Sequence, residues 1–94
     1  MFHVKPKRDW DVYHVLGGVI IFHPFRDGVK MHPNFLPESR GAKAFAEIRK
    51  HMRRYPLIYV EIDIELRHVN WAARHMGFEL IESGERNLYR WRSK

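Results

Sequence analysis

The chain has no cysteine. That excludes disulfides, a thiol nucleophile and any thiolate metal site. It has no apolar run near the ~18 residues needed to cross a bilayer, and the N-terminus, MFHVKPKRDW, lacks the apolar core of a signal peptide. It also has no His-x-x-x-His pair and no clustered acids, so its seven histidines do not form a metal motif. Acidic residues are scarce: 11 against 17 Lys and Arg, a formal charge of +6. There is no repeat, low-complexity tract or linker. These absences point to one intracellular, cytoplasmic domain with no membrane association. The charge is ordinary for solubility, but it also suits a polyanionic partner such as nucleic acid or a phosphate-bearing cofactor.

Hydrophobic residues make up 45% of the 94, and aromatics 14%, enough for one small core rather than disorder. Alternation and punctuation predict the elements in order. Trp10–Leu16 and Val19–Phe25 read as strands separated by Gly17-Gly18. Arg26-Asp27-Gly28 reads as a turn, with Asp-Gly suited to positive φ, and Val29–His32 as a short strand stopped by Pro33. A helix is expected from Ser39 to Arg54, entered through Pro37 and Glu38 and ended by Tyr55-Pro56. Leu57–Ile64 is a strand. Leu66, Val69, Ala73 and Met76 then form a helical stripe closed by Gly77. Phe78–Glu82 and Asn87–Trp91 read as a closing hairpin. The fold class is α+β, order β-β-β-α-β-α-β-β, with a mixed sheet and a central parallel strand pair. Val19, Ile21, Phe45, Ile48, Val60, Ile62, Val69, Ala73 and Phe78 are the expected core.

Two stretches carry a family resemblance. Leu57–Phe78 (LIYVEIDIELRHVNWAARHMGF) gives strand, polar junction, short helix and Gly-Phe, with His68-Val69, Ala72-Ala73 and Gly77-Phe78 in the pattern. Met31-His32-Pro33 precedes a loop and helix start rich in small residues, Arg40-Gly41-Ala42-Lys43-Ala44. Together these resemble the GNAT superfamily of acyl-CoA-dependent N-acyltransferases, over roughly Trp10–Trp91. The resemblance implies a truncated GNAT-like domain over residues 1–94, without the family's N-terminal strand and helices. It departs from the family at Leu66, where Asn is usual, and at Ala73, where a Tyr often serves as acid.

The resemblance implies acetyl-CoA (or CoA) as cofactor and an amine as acceptor. Met31, His32, Arg40, Gly41, Ala42, Lys43 and Ala44 stand at the cofactor-binding positions, the last five where backbone N–H groups would hold pyrophosphate. It further implies that the strand through His32 and the strand Ile58–Ile64 run parallel and splay at their C-terminal ends. Transfer needs a base and an acid. Glu61 and His32 are the base candidates, with Asp63 and Glu65 near by; Tyr59 is the acid candidate, followed by Tyr89 and His68. The alternative is a non-enzymatic protein like the short, motif-eroded GNAT-like proteins of tailed phages, whose closing helix and hairpin are similar. Such a protein would act in host cytoplasm or virion and use its basic surface to bind nucleic acid or a protein. Arg49, Lys50, His51, Arg53 and Arg54, the tail Arg86, Arg90, Arg92 and Lys94, and Trp71 among Arg67, Arg74 and His75 carry that alternative. A homo-oligomer, such as a homodimer, is expected from the absent N-terminal elements and the apolar residues Phe2 and Trp91.

Overall fold

The computed structural model describes residues 10–36 and 41–93. Six strands and two helices follow one another as β1 (Asp11–Val15), β2 (Gly18–Phe25), β3 (Gly28–Phe35), α1 (Ala42–Met52), β4 (Leu57–Asp63), α2 (Arg67–His75), β5 (Glu79–Ser83) and β6 (Arg86–Arg92). The element order is the one expected. All six strands form a single mixed sheet, β1-β2-β3-β4-β6-β5, in which only β3 and β4 are parallel. Residues 37–40, where the entry to α1 was expected, and Phe2 and Lys94 lie outside the described residues.

Both helices cover the same face of the sheet. Ala44, Ile48 and Met52 of α1 and Ala73 of α2 join one buried cluster with Ile20, Phe22, Met31, Phe35, Ile58, Val60, Ile62, Phe78 and Tyr89. Every strand residue in that set points to one side by the two-residue alternation of a strand. Each large apolar side chain buried there contributes about 1.5–3 kcal/mol. Among the described residues no helix lies on the opposite face. Its small apolar cluster, Leu57, Tyr59 and Leu88 with Phe25 and Ile81, is covered by charged side chains. Arg26 lies over the Phe25 and Tyr59 rings and Lys30 over Phe25. Long cationic side chains thus shield what a bare apolar sheet face would expose.

Several expectations are corrected. In β2 it is Ile20 and Phe22 that are buried, while Val19 and Ile21 face the open side and are half-buried. Phe45 is exposed because α1 packs through Ala44, Ile48 and Met52, and Val69 and Leu66 are exposed because α2 meets the sheet through Ala72 and Ala73. β3 does not stop at Pro33 but runs to Phe35, with Pro33 opposite Ile20. In the β2–β3 turn the positive φ falls on Arg26 (51°), not on Gly28. His51 is not on the basic outer face of α1. It is buried, its ring stacked on Tyr13 at 4.4 Å between centroids.

That burial gives a pH dependence. His51 Nδ1 has no partner among the described residues, and Nε2 lies 3.9 Å from Glu47. Burial pushes the imidazole pKa down, and Arg54 and Lys50 push the same way against Glu47. The unfolded chain therefore binds a proton near pH 6.5 that the folded chain refuses. This share of stability is present above that pH and is lost as pH falls below it. Urea unfolding is expected to give a lower midpoint at pH 5 than at pH 7.5, and His51→Phe to flatten that difference. An unchanged pH dependence in His51→Phe would refute the assignment.

Candidate functional site

β3 and β4 pair over two positions only, Val29↔Ile58 and Lys30↔Tyr59. Both strands then continue, β3 to Phe35 and β4 to Asp63, paired outward with β2 and β6 but no longer with each other. Backbone pairing is therefore interrupted at the C-terminal ends of the two parallel strands, leaving an unpaired stretch termed the slot. The family resemblance implies that the two strands part at this end. It is also where open α/β sheets place ligands. Exposed apolar side chains follow both strand ends: Leu36 after β3, and Ile64 and Leu66 after β4.

Charged and titratable groups stand on the open face at the base of the slot. Lys30 Nζ lies 3.3 Å from Glu61 Oε1, which links β3 to β4 where their pairing stops. Arg86 of β6 lies 3.3 Å from the same oxygen and 2.8 Å from Asp63 Oδ1. Partial burial pushes the Glu61 carboxyl up, but Lys30 and Arg86 together hold it below the ordinary glutamate range. Glu61 is thus ionised and a weak base. His32, two residues beyond Lys30 on the same face, sits 2.7 Å, Nε2 to Nε2, from His23. His23 Nδ1 donates to Pro24 O at 3.0 Å, so its Nε2 accepts and His32 Nε2 carries the shared proton. The unprotonated nitrogen of His32 is then Nδ1. Burial lowers the His32 pKa, and His23 and Lys30 lower it further against Glu61, which leaves the ring neutral near pH 7.

Residues after β3 lead to the start of α1. Gly41 precedes the helix at φ 140°, and its carbonyl accepts the first helical bond, from Phe45 N–H at 3.1 Å. Among the described residues no side chain caps this end, and no acidic residue lies in its first turn. The N–H groups of Ala42, Lys43 and Ala44 precede that bond and have no helical acceptor. Lys43 is exposed there, whereas the Ala44 side chain is buried against the sheet. Met31 is buried in the core, so only its backbone can face a ligand. Arg40 lies outside the described residues.

The acid candidates fare differently. Tyr59 is on the open face, but its hydroxyl donates to Asp27 in the β2–β3 turn, which raises its pKa together with burial. Tyr89 is fully buried on the helix-covered face and donates to Asn70 Oδ1 at 2.7 Å. Tyr55 donates to Asp11 and shares a bond with Tyr13. All four tyrosines are therefore engaged within the protein. His68 is exposed on α2 and Glu65 on the turn before it.

Sequence reasoning passed over two groups. Lys30 and His23 each lie on the strand next to that of the residue they serve, 31 and 9 positions away in the sequence, and no local motif marks them. Asn70 is the other omission. Its Nδ2 donates to Asp63 O (2.9 Å) and Leu66 O (2.8 Å), and its Oδ1 accepts from Asn87 Nδ2 (2.8 Å) and the Tyr89 hydroxyl. One side chain thus holds the β4–α2 turn against β6, which places the far wall of the slot.

Comparison with protein-family models, curated proteins and solved structures finds no match for this chain.

Proposed function

We propose that the chain is a GNAT-like domain that binds an acyl-CoA thioester, acetyl-CoA in the simplest case, and passes the acyl group to an amine. The two-residue pairing of β3 and β4 carries this reading. A slot between parallel strands offers backbone groups on both sides to an extended amide-bearing arm such as pantetheine, in the manner of strand addition. The uncapped, acid-free start of α1 with Gly41 and Lys43 follows the same strand and suits the pyrophosphate. His32 Nδ1 takes the proton of the acceptor ammonium. The amine nitrogen then attacks the thioester carbonyl, the C–S bond breaks, the thiolate leaves, and the acylated nitrogen gives up its second proton to solvent. With the tyrosines engaged, solvent supplies the thiolate proton, so turnover is slow.

The test separates binding from transfer. Titration calorimetry should show acetyl-CoA binding at micromolar affinity, on the order of −8 kcal/mol. Lys43→Glu should weaken it at least about tenfold by placing a like charge beside the phosphates. His32→Gln should leave binding unchanged and reduce acyl transfer to a primary amine by about a hundredfold or more. No heat of binding at millimolar CoA removes the proposal.

A further inference from the structure

The two faces of this protein treat charge in opposite ways. On the sheet side, Arg26 pairs with Glu82, Lys30 and Arg86 with Glu61, Arg86 with Asp63, and Arg90 with Glu79. The tail arginines 86 and 90, which the sequence groups with the other cations, are therefore neutralised there. The helical side is different. Arg49 and Lys50 of α1, with Arg53 at its C-terminal cap, form an exposed stripe opposite the buried stripe Ala44, Ile48 and Met52. On α2, Arg67 and Arg74 flank Trp71 at helical spacing, and all three are exposed. Among the described residues none of these five cations has a carboxylate within ion-pair distance. The only carboxylate on either helix, Glu47, is turned towards His51. Since α1 and α2 lie on the same sheet face, their cations belong to one outer layer.

Trp71 gives that layer a second property. Its side chain is 64% exposed, more than a core or packing role explains, and its ring is stacked on His75 at 4.8 Å and 10° between planes. The stack holds the indole in one orientation and leaves its other side open. A flat, pre-oriented aromatic ring between unpaired guanidinium groups matches a chain of phosphates that carries unstacked bases. An anionic lipid surface would satisfy the cations but not a ring held by stacking. We propose that the outer surface of the helical layer binds single-stranded nucleic acid, with Arg49, Lys50, Arg53, Arg67 and Arg74 contacting phosphates and Trp71 stacking on a base. This surface is separate from the slot and does not depend on the thioester reading.

The experiment is a fluorescence-anisotropy titration of a labelled oligothymidine of about 12 nucleotides, within the span one small domain covers, repeated from about 50 to 200 mM KCl. Five phosphate contacts predict a log K against log salt slope of about −3.5. Arg49→Gln/Lys50→Gln/Arg53→Gln should make that slope shallower by about 2. The variant Trp71→Ala should weaken binding about tenfold without altering the slope, since stacking carries no counterion release. The control Arg26→Gln/Arg86→Gln/Arg90→Gln removes as much charge from the sheet face and should leave the slope nearly unchanged. Three results overturn the proposal: no binding at the lowest salt, an equal loss in the control, or tighter binding to vesicles of equimolar phosphatidylcholine and phosphatidylserine than to the oligonucleotide. Far-UV circular dichroism of each variant checks that the helices persist. If the α1 variant unfolds, Arg67→Gln/Arg74→Gln replaces it, with an expected change in slope of about 1.4.

Discussion

Gly28→Ala is expected to lower stability by about 3 kcal/mol or more, at the upper end of overpacking effects. A Cβ built at Gly28 would lie 2.5 Å from Leu57 O and 2.9 Å from Leu57 Cβ. The first of these atoms is backbone, so no rotamer change relieves the contact; β3 and β4 must move apart. That is the one place where the two strands pair, through Val29↔Ile58 and Lys30↔Tyr59. Displacing it disturbs the junction between the β1–β3 and β4–β6 halves of the sheet, and with it the Lys30–Glu61 link at the base of the slot. For a domain of this size the loss corresponds to a fall in Tm of roughly 12–24 °C. Acetyl-CoA binding, if it uses the slot, should vanish in the same variant. Gly84→Ala is the control, since a Cβ there meets nothing within 4 Å; it should stay within about 0.5 kcal/mol of the parent. Thermal and urea unfolding check both. Gly28→Ala with a stability within about 1 kcal/mol of the parent would show that β3 and β4 can separate at little cost, and would refute the account based on the close contact with Leu57.

What the sequence reveals and hides divides along physical lines. The order of elements is written locally, in Gly17, the Arg26-Asp27-Gly28 turn, Tyr55-Pro56, Gly77 and Ser83-Gly84-Glu85, and the eight elements follow in that order, although β3 runs past Pro33 to Phe35. Which face of β2 is buried is not written locally. Val19, Ile20, Ile21 and Phe22 are all apolar, so alternation gives no direction, and the answer comes from pairing with Met31 and Tyr13 across two strands. The inward face of α2 was hidden by size. The periodic Leu66 and Val69 look like core, yet the small Ala72 and Ala73 allow the helix to approach the sheet closely and leave the larger residues outside. Gly28 was read for its backbone freedom, when its use is the space beside Leu57.

The candidate site follows the same division. The parallel run of β3 and β4 follows from the element pattern, whereas their parting at the C-terminal ends was implied only by the family resemblance that also singled out His32 and Glu61. The state of these two residues follows from neither. Glu61 is drawn from a base into an ion pair by Lys30, 31 positions earlier, and by Arg86, 25 positions later. His32 gains its defined tautomer from His23 on the neighbouring strand. The cation clusters also separate only in three dimensions, when the sheet sends Arg86 and Arg90 to one side and the helices send Arg49, Lys50 and Arg53 to the other. A protein built this way keeps a neutralised face around the slot and an unneutralised one behind it.

Asn70 is where sequence and site meet least, and it carries the other large effect. All four hydrogen-bonding capacities of its amide are used: two N–H donors to Asp63 O and Leu66 O, two acceptor positions to Asn87 and Tyr89. Both carbonyls also accept a backbone N–H, from Leu66 and from Asn70 itself, so they are not orphaned when the side chain goes. The Tyr89 hydroxyl is the group left buried without an acceptor. Asn70→Ala is therefore expected to cost about 2–4 kcal/mol, the lost bonds plus one buried unsatisfied donor. Asn70→Asp distinguishes this account from simple loss of volume. A carboxylate keeps the bonds from Asn87 and Tyr89 but meets Asp63 O and Leu66 O without a hydrogen to offer. Only the protonated acid can donate to one of them, so the folded state raises the pKa of the new group above its unfolded value near 3.9. A raised acid pKa means stability that is present below the unfolded value and lost as pH rises through the folded one. Relative to the parent, Asn70→Asp should therefore lose least at pH 4 and most at pH 7.5, while Asn70→Ala should be offset from the parent by a nearly constant amount. Urea unfolding at the two pH values checks both slopes. An Asn70→Asp offset that does not change between them would mean that Nδ2 does not hold the β4–α2 turn.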